Sequence, residues 1–230
     1  MMIMHKHARR AGVTLVLVLA ALVVAVAQGT GVHPVSGRRF APVMGYQGAP
    51  WLERDERIEE ENPDLALRAL NIPSGATVAD VGAGSGYMSV RLARIVGPSG
   101  KVYANDIQPQ MIAMLQARLA RERITNVEPI LSAIDDPRLP AGAIDLILMV
   151  DVYHEFQAPQ VMLRRMREAL KPDGRLVLLE YRKEDPSIPI IFEHKMSVRE
   201  ARMELEAEGF TLSRVEGMLP RQHILIFTKR

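Results

Sequence analysis

From Thr77 onward the sequence predicts an α/β fold, a doubly wound and mostly parallel seven-stranded sheet that ends in an antiparallel C-terminal hairpin strand. Apolar, β-branched runs alternate regularly with segments of helical apolar spacing, the pattern of a parallel sheet covered on both faces. The first of these runs leads into three alternate glycines, Gly82, Gly84 and Gly86, before helical spacing resumes. The last two extended runs, Phe210 to Val215 and His223 to Thr228, are joined by Gly217 to Arg221 and read as a hairpin at the sheet edge.

Strands are expected at 77–81, 101–106, 127–131, 144–150 and 175–181 ahead of that hairpin, with helices near 86–96, 108–123, 158–171 and 197–208. Gly97-Pro98-Ser99-Gly100 and Lys171-Pro172-Asp173-Gly174 each stop a helix and reset the chain for a strand. Asn62-Pro63 supplies a cap and a first-turn proline for a helix carrying Leu65, Leu67 and Leu70. The charge run Glu53 to Glu61 reads as a solvated helical face. Gln28 to Pro50, rich in Gly, Pro and Val, reads as a linker or extended arm, with Tyr46 and Trp51 placed either to pack it on the core or to cover a ligand pocket.

The chain has 230 residues, 48% of them hydrophobic, enough for one domain with a full core. Ahead of it, His5-Lys6-His7-Ala8-Arg9-Arg10 is basic, Val13 to Val26 is almost wholly apolar, and Ala25-Val26-Ala27 has the small-x-small pattern of a signal-peptidase site. Residues 1–27 therefore read as an export signal, or as an anchor if uncleaved, since Ala11 to Ala27 just reaches spanning length. The resulting division is 1–27 signal or anchor, 28–52 arm and 53–230 main domain, in a periplasmic or membrane-anchored protein; translation from Met44 would instead leave it in the cytoplasm. Loss of residues 1–27 removes Lys6, Arg9 and Arg10 and no acid, so 29 basic against 27 acidic residues becomes 26 against 27. The basic balance belongs to the leader, and no nucleic-acid partner is expected. Zero cysteines exclude disulfides, thiolate metal sites and cysteine nucleophiles.

The turn Asp80-Val81-Gly82-Ala83-Gly84-Ser85-Gly86-Tyr87 lies at a strand's carboxyl end, where glycines admit a ligand to the backbone and the first amides of the next helix face it. Its third glycine falls one residue too early for a dinucleotide fingerprint, and no Lys-Ser/Thr follows as in a P-loop. Asp-x-Gly-x-Gly-x-Gly after a strand resembles the first motif of the class I S-adenosylmethionine-dependent methyltransferases. The resemblance implies binding of S-adenosylmethionine by Asp80, Gly82, Gly84, Gly86 and Tyr87.

Ligands of open parallel sheets bind beyond the carboxyl ends of the strands, and every strand here has an acid there: Asp80, Asp106, Asp135 with Asp136, Asp151 and Glu180. Asp145 begins the fourth strand, roughly 20 Å from Asp151 at about 3.3 Å per residue, and is assigned a structural role on the opposite rim. Asp106 has the spacing past the glycines at which an acid accepts both ribose hydroxyls. The family pattern puts Ile107 beside the adenine ring and an acid at the adenine edge, for which Asp135 is the candidate; Asp151 completes the cofactor set.

Asp151-Val152-Tyr153-His154-Glu155-Phe156, Lys171-Pro172-Asp173-Gly174 and Leu179-Glu180-Tyr181 together resemble a bacterial group near the ubiquinone/menaquinone-type methyltransferases. The expected reaction is methyl transfer to a small-molecule acceptor, with Tyr153, Glu180 and Tyr181 facing that acceptor and His154 and His194 as candidate general bases. The loop Lys183 to Lys195 is placed to close over the site. No metal is required, because His154 and His194 form no spaced pair of the kind metal-binding helices show. A non-catalytic nucleoside-binding protein on the same fold and a nicotinamide-dependent oxidoreductase are the rival readings.

Overall fold

The computed structural model describes residues 31–230; the leader at 1–27 lies outside the described residues. Its sheet contains β1 (Thr77–Val81), β2 (Lys101–Asp106), β3 (Val127–Leu131), β4 (Ile144–Val150), β5 (Leu170–Tyr181), β6 (Phe210–Glu216) and β7 (Gln222–Lys229). They lie in the order β3-β2-β1-β4-β5-β7-β6. The first five pair in parallel, while β7 runs antiparallel to both β5 and β6. The order reverses between β1 and β4, which opens a crevice at their carboxyl ends.

The helices are α1 (Ala49–Leu52), α2 (Arg57–Glu61), α3 (Pro63–Ala69), α4 (Ser89–Val96), α5 (Pro109–Glu122), α6 (Pro159–Ala169) and α7 (Val198–Ala207). One buried layer packs α3, α4 and α5 on one face of the sheet through Leu67, Leu92 and Leu115. The other packs α6 and α7 through Leu163, Met166 and Leu205. Burial on both faces is why β4, Ile-Asp-Leu-Ile-Leu-Met-Val, is a nearly unbroken apolar run. Asp145, its one acid, braces the far rim: its carboxylate accepts from the Thr77 amide at 2.8 Å and from Lys171 Nζ at 2.6 Å.

The α6–β5 junction and the charge run ahead of α3 differ from the sequence expectation. Helix α6 ends at Ala169 and β5 begins at Leu170, so Lys171-Pro172-Asp173-Gly174 lies within the strand. The pairing jumps from Ile144 with Leu170 to Leu146 with Arg175, and the extra residues bulge outward. Gly174 permits this, since a Cβ there would stand 2.8 Å from the Ile144 carbonyl oxygen. The charge run Glu53 to Glu61 is not a fully solvated face either, because Arg57 and Glu61 are buried against each other at 2.5 Å.

The segment 31–52 is laid along the domain. Arg38 is buried and forks onto Glu204 of α7 through Nε and Nη2, both at 3.0 Å, while Nη1 donates to the His154 carbonyl at 2.9 Å. Further along, the Ala41 amide donates to the same carbonyl and the Tyr46 amide to Gln108 Oε1. Among the described residues no helix is long and apolar enough to cross a membrane.

Candidate active site

The glycine turn and the end of β2 build the first half of the site. Gly84 has φ +55°, and its amide donates to Asp106 Oδ2 at 3.0 Å; a Cβ on it would reach within 2.8 Å of Leu52 from the arm. Asp106 Oδ1 accepts from the Gln108 amide at 2.8 Å, so the carboxylate is held rigidly at the cleft and keeps lone pairs free for further donors. Burial pushes its carboxyl above the ordinary value, against the amides of Gln108, Gly84 and Ile107. The cleft beyond, about 790 Å³ with its mouth, is lined by Gly82, Gly84, Asp106 and Ile107, by Ser132 to Ile134 after β3, and by Val43, Met44 and Leu52 from the arm.

Not every acid and glycine of the motif reaches this cleft. Asp80 is buried below it, accepting from Ser89 Oγ at 2.6 Å, and tethers the start of α4. Gly86 makes room for α5, since a Cβ there would run into Leu115. Tyr87 is buried between two guanidinium groups, Arg57 at 4.3 Å and Arg91 at 3.9 Å from its ring centre, and does not line the cleft. Asp135 is exposed and turned away, because a tight turn pairs Ala133 with Asp136 through their backbones; Ser132, Ala133 and Ile134 form the wall instead.

A second cavity, about 1020 Å³ with its mouth, opens beyond β4 and β5 and shares Met44, Leu52, Val150, Asp151 and Glu155 with the first. Asp151 stands at the junction with φ +51°. Its Oδ2 accepts from Gln222 Nε2 at 2.6 Å, whereas Oδ1 is buried with no hydrogen-bond partner. Burial, then the nearby Glu61 and Glu180, push its carboxyl well up. An orphaned buried acceptor at the meeting point of two cavities is a place for a donor or a cation from a ligand.

His154 lies across the cavity in a short 3-10 turn, Tyr153–Glu155. Its Nδ1 is 2.5 Å from Glu180 Oε2, and Glu180 Oε1 accepts from the Tyr153 amide at 3.1 Å. A proton on Nδ1, shared with that carboxylate, leaves the lone pair of Nε2 on the side of the cavity, 3.2 Å from His194 Nδ1. Glu180 is therefore a positioning residue behind His154, fully buried and outside the cavity wall. Tyr153 also departs from its expected place: its ring is fully buried under Arg38, 5.6 Å away. Tyr181 does line the cavity, donating to Glu61 Oε1 at 2.7 Å, and burial together with Asp151 pushes its phenol far up. Burial and the neighbouring His154 lower the His194 pKa.

Several lining residues lay outside the sequence reading. Glu155 borders both cavities, accepts from the Met44 amide at 3.1 Å, and is pushed up to about 7 by burial. It sits inside the run Asp151 to Phe156 that carries the family resemblance, and that run is the signal that marks it. Arg54, Arg57 and Glu61 belong to a charge run with the pattern of a solvent face, and nothing in that pattern marks them as a cavity wall.

This fold, with a glycine cradle and a ribose-spaced acid at the switch point of the sheet, defines an α/β enzyme that binds a nucleoside-bearing cofactor. Residues 72–213 match the model of the family described as "Methyltransferase domain". The chain is 30% identical over 121 residues to the ubiquinone/menaquinone biosynthesis C-methyltransferase UbiE of Hahella chejuensis, covering 52% of this chain and 48% of that one. The Escherichia fergusonii UbiE is 32% identical over 110 residues, 47% of this chain and 44% of that one. The match thus spans about half the length of these curated relatives. Among solved structures, a SAM-dependent methyltransferase from Aquifex aeolicus superposes with TM-score 0.75 at 27% identity, over 80% of this chain and 98% of that one. An O-methyltransferase of neocarzinostatin biosynthesis, in complex with S-adenosylmethionine and 2-hydroxy-5-methyl naphthoic acid, shares the fold at TM-score 0.65 and 18% identity, over 79% of this chain and 56% of that one. The chain belongs to the methyltransferase-domain family and has the fold of the class I S-adenosylmethionine-dependent methyltransferases.

Proposed function

We propose that the chain methylates a small hydroxyl-bearing acceptor, whose nucleophilic oxygen or conjugated carbon is activated by loss of the hydroxyl proton. The observation that carries this is the meeting of two cavities at Asp151 and Glu155, one with the Gly84–Asp106 cradle and the other with His154 held by Glu180. S-Adenosylmethionine supplies an electrophilic methyl group on a sulfonium that is a good leaving group. The chain's part is to fix the geometry of attack and to take a proton. Asp106 has acceptor capacity for ribose hydroxyls, and Ile107 and Ile134 offer apolar faces to a flat base. The orphaned Asp151 oxygen suits an ammonium or the positive sulfonium.

On the acceptor side, Trp51, Leu52, Ile190 and Ile191 provide apolar walls around the imidazoles, which suits a flat organic molecule better than a highly charged one. The UbiE relatives, named as C-methyltransferases of quinone biosynthesis, support an acceptor of that kind. The buried His154–Glu180 pair favours a catalyst over a bare nucleoside-binding protein, since binding alone gives no use for a base with a fixed tautomer. Calorimetry with S-adenosylhomocysteine tests the cofactor half: Asp106→Ala should weaken binding roughly 10- to 150-fold, the loss of charge-assisted hydrogen bonds of about 1.5–3 kcal/mol. Unchanged affinity in a folded variant would remove the cradle from the reading.

A further inference from the structure

We infer that His154, His194 and Glu155 form a binding site for a divalent transition-metal ion, of which Zn²⁺ is the best-suited, on the wall of the acceptor cavity. One ligand atom from each lies within 4.8 Å of the others. His154 Nε2 and His194 Nδ1 are 3.2 Å apart, and His194 Nδ1 and Glu155 Oε1 are 3.8 Å apart. Ligands about 2.0–2.1 Å from a tetrahedral Zn²⁺ are themselves about 3.3–3.4 Å apart, so the three need only small adjustments to share an ion.

The support behind the ligands argues the same way. A metal-binding imidazole characteristically donates its other nitrogen's proton to a carboxylate, which orients the ring and raises its basicity. His154 has that partner in the fully buried Glu180, at 2.5 Å. Glu155 as a ligand and Glu180 behind His154 supply two carboxyl groups whose ionisation would offset the charge of a buried divalent ion. Two imidazoles and one carboxylate leave a coordination position open, and all three residues line the acceptor cavity or its junction, so an acceptor oxygen could occupy it; with the ion bound, His154 Nε2 would be a ligand, and polarisation by the ion, in place of that nitrogen as base, would ease loss of the hydroxyl proton. Mixed nitrogen and oxygen ligands favour Zn²⁺ or a neighbouring first-row ion over Mg²⁺ or Ca²⁺.

The inference rests on the imidazole pair and not on the cofactor reading, and its test is separable from that reading. The purified full chain, stripped of metal, is titrated with Co²⁺ as a spectroscopic probe and then with Zn²⁺ in competition. One equivalent of Co²⁺ should bind with the intense visible bands of a four- or five-coordinate site, and Zn²⁺ should displace it. His194→Ala, on a partly exposed surface turn, should lower the affinity at least roughly 100-fold, and Glu180→Gln by roughly 10- to 100-fold, as expected for a supporting carboxylate. Far-UV circular dichroism and urea unfolding on the same samples report whether each variant is folded. Failure of the wild-type chain to bind Co²⁺ stoichiometrically, or unchanged affinity in His194→Ala, would show that the two imidazoles share only a proton.

Discussion

Asp80 shows how one residue of a recognisable motif can act on stability without touching a ligand. Burial pushes its carboxyl up to about 6, against the Ser89 hydroxyl and the more distant Arg57, with Asp106 adding to the rise. A carboxyl raised in the folded state binds more protons folded than unfolded, so stability falls as pH rises from about 4 to about 6 and the deficit is then complete. Below about 4 there is none. Asp80→Asn keeps an acceptor for Ser89 and removes the charge, so the difference in unfolding free energy between variant and wild type should grow by on the order of 3 kcal/mol from pH 4 to pH 7.5. Urea unfolding across that range checks it, and a pH-independent difference would mean that the carboxyl titrates normally. Asp106 could be located in the sequence because its distance from the glycines is set by one strand–helix–strand unit. Asp135 could not, because a turn of a few residues decides whether an acid after a strand points in or out. Tyr153 and Glu180 were placed near the right rim, but the side of the wall each side chain takes depends on the twist of a short turn and on which neighbour claims it.

Among elements, the strands and helices were largely legible because each is an apolar run of the right period bounded by Gly or Pro. The exceptions have local causes. The bulge in β5 carries the strand past Pro172 and Gly174, which read as a break, by leaving residues 171–174 out of the pairing, and α2 hides a buried ion pair inside a charge run. The glycine turn itself divides by role in a way that spacing alone does not reveal. Gly84 faces the cleft, whereas Gly86, at φ +87°, faces Leu115 of α5. Gly84→Val should therefore abolish S-adenosylhomocysteine binding while the chain still folds. Gly86→Ala should lower stability by about 1–3 kcal/mol, through an unfavourable φ and an overpacked helix, and leave the affinity of the folded protein within a few-fold. Unfolding and calorimetry on the same two variants check the division, and the reverse pattern would exchange their roles.

At the scale of the whole molecule, the acceptor cavity gathers residues from the arm, the exit of β4, the end of β5 and the 183–195 loop. His154 and His194 meet across 40 positions, which no spacing rule detects. The docked arm also bears on where the protein works. We infer export from the basic, apolar and small-residue order of residues 1–27; the rival is a shorter chain begun at Met44. That shorter chain would lack Ser36 and Arg38, and Glu204, fully buried, would lose the hydroxyl at 2.5 Å and the forked guanidinium that satisfy it. Removing one partner of a buried ion pair destabilises by about 3–5 kcal/mol. The same cut strips the Arg38 and Ala41 donors from the His154 carbonyl, while Gly84, Asp106 and Met44 stay in place. The chain begun at Met44 should thus unfold at lower urea by about that free energy and still bind S-adenosylhomocysteine within a few-fold when folded. Its turnover should fall more than its cofactor affinity, because the turn that aims His154 has lost its support. A reporter fused after residue 50 of the full chain should be active outside the cytoplasm. Equal stability of the shorter chain, with a reporter active only inside the cell, would make Met44 the working start and the preceding arm dispensable.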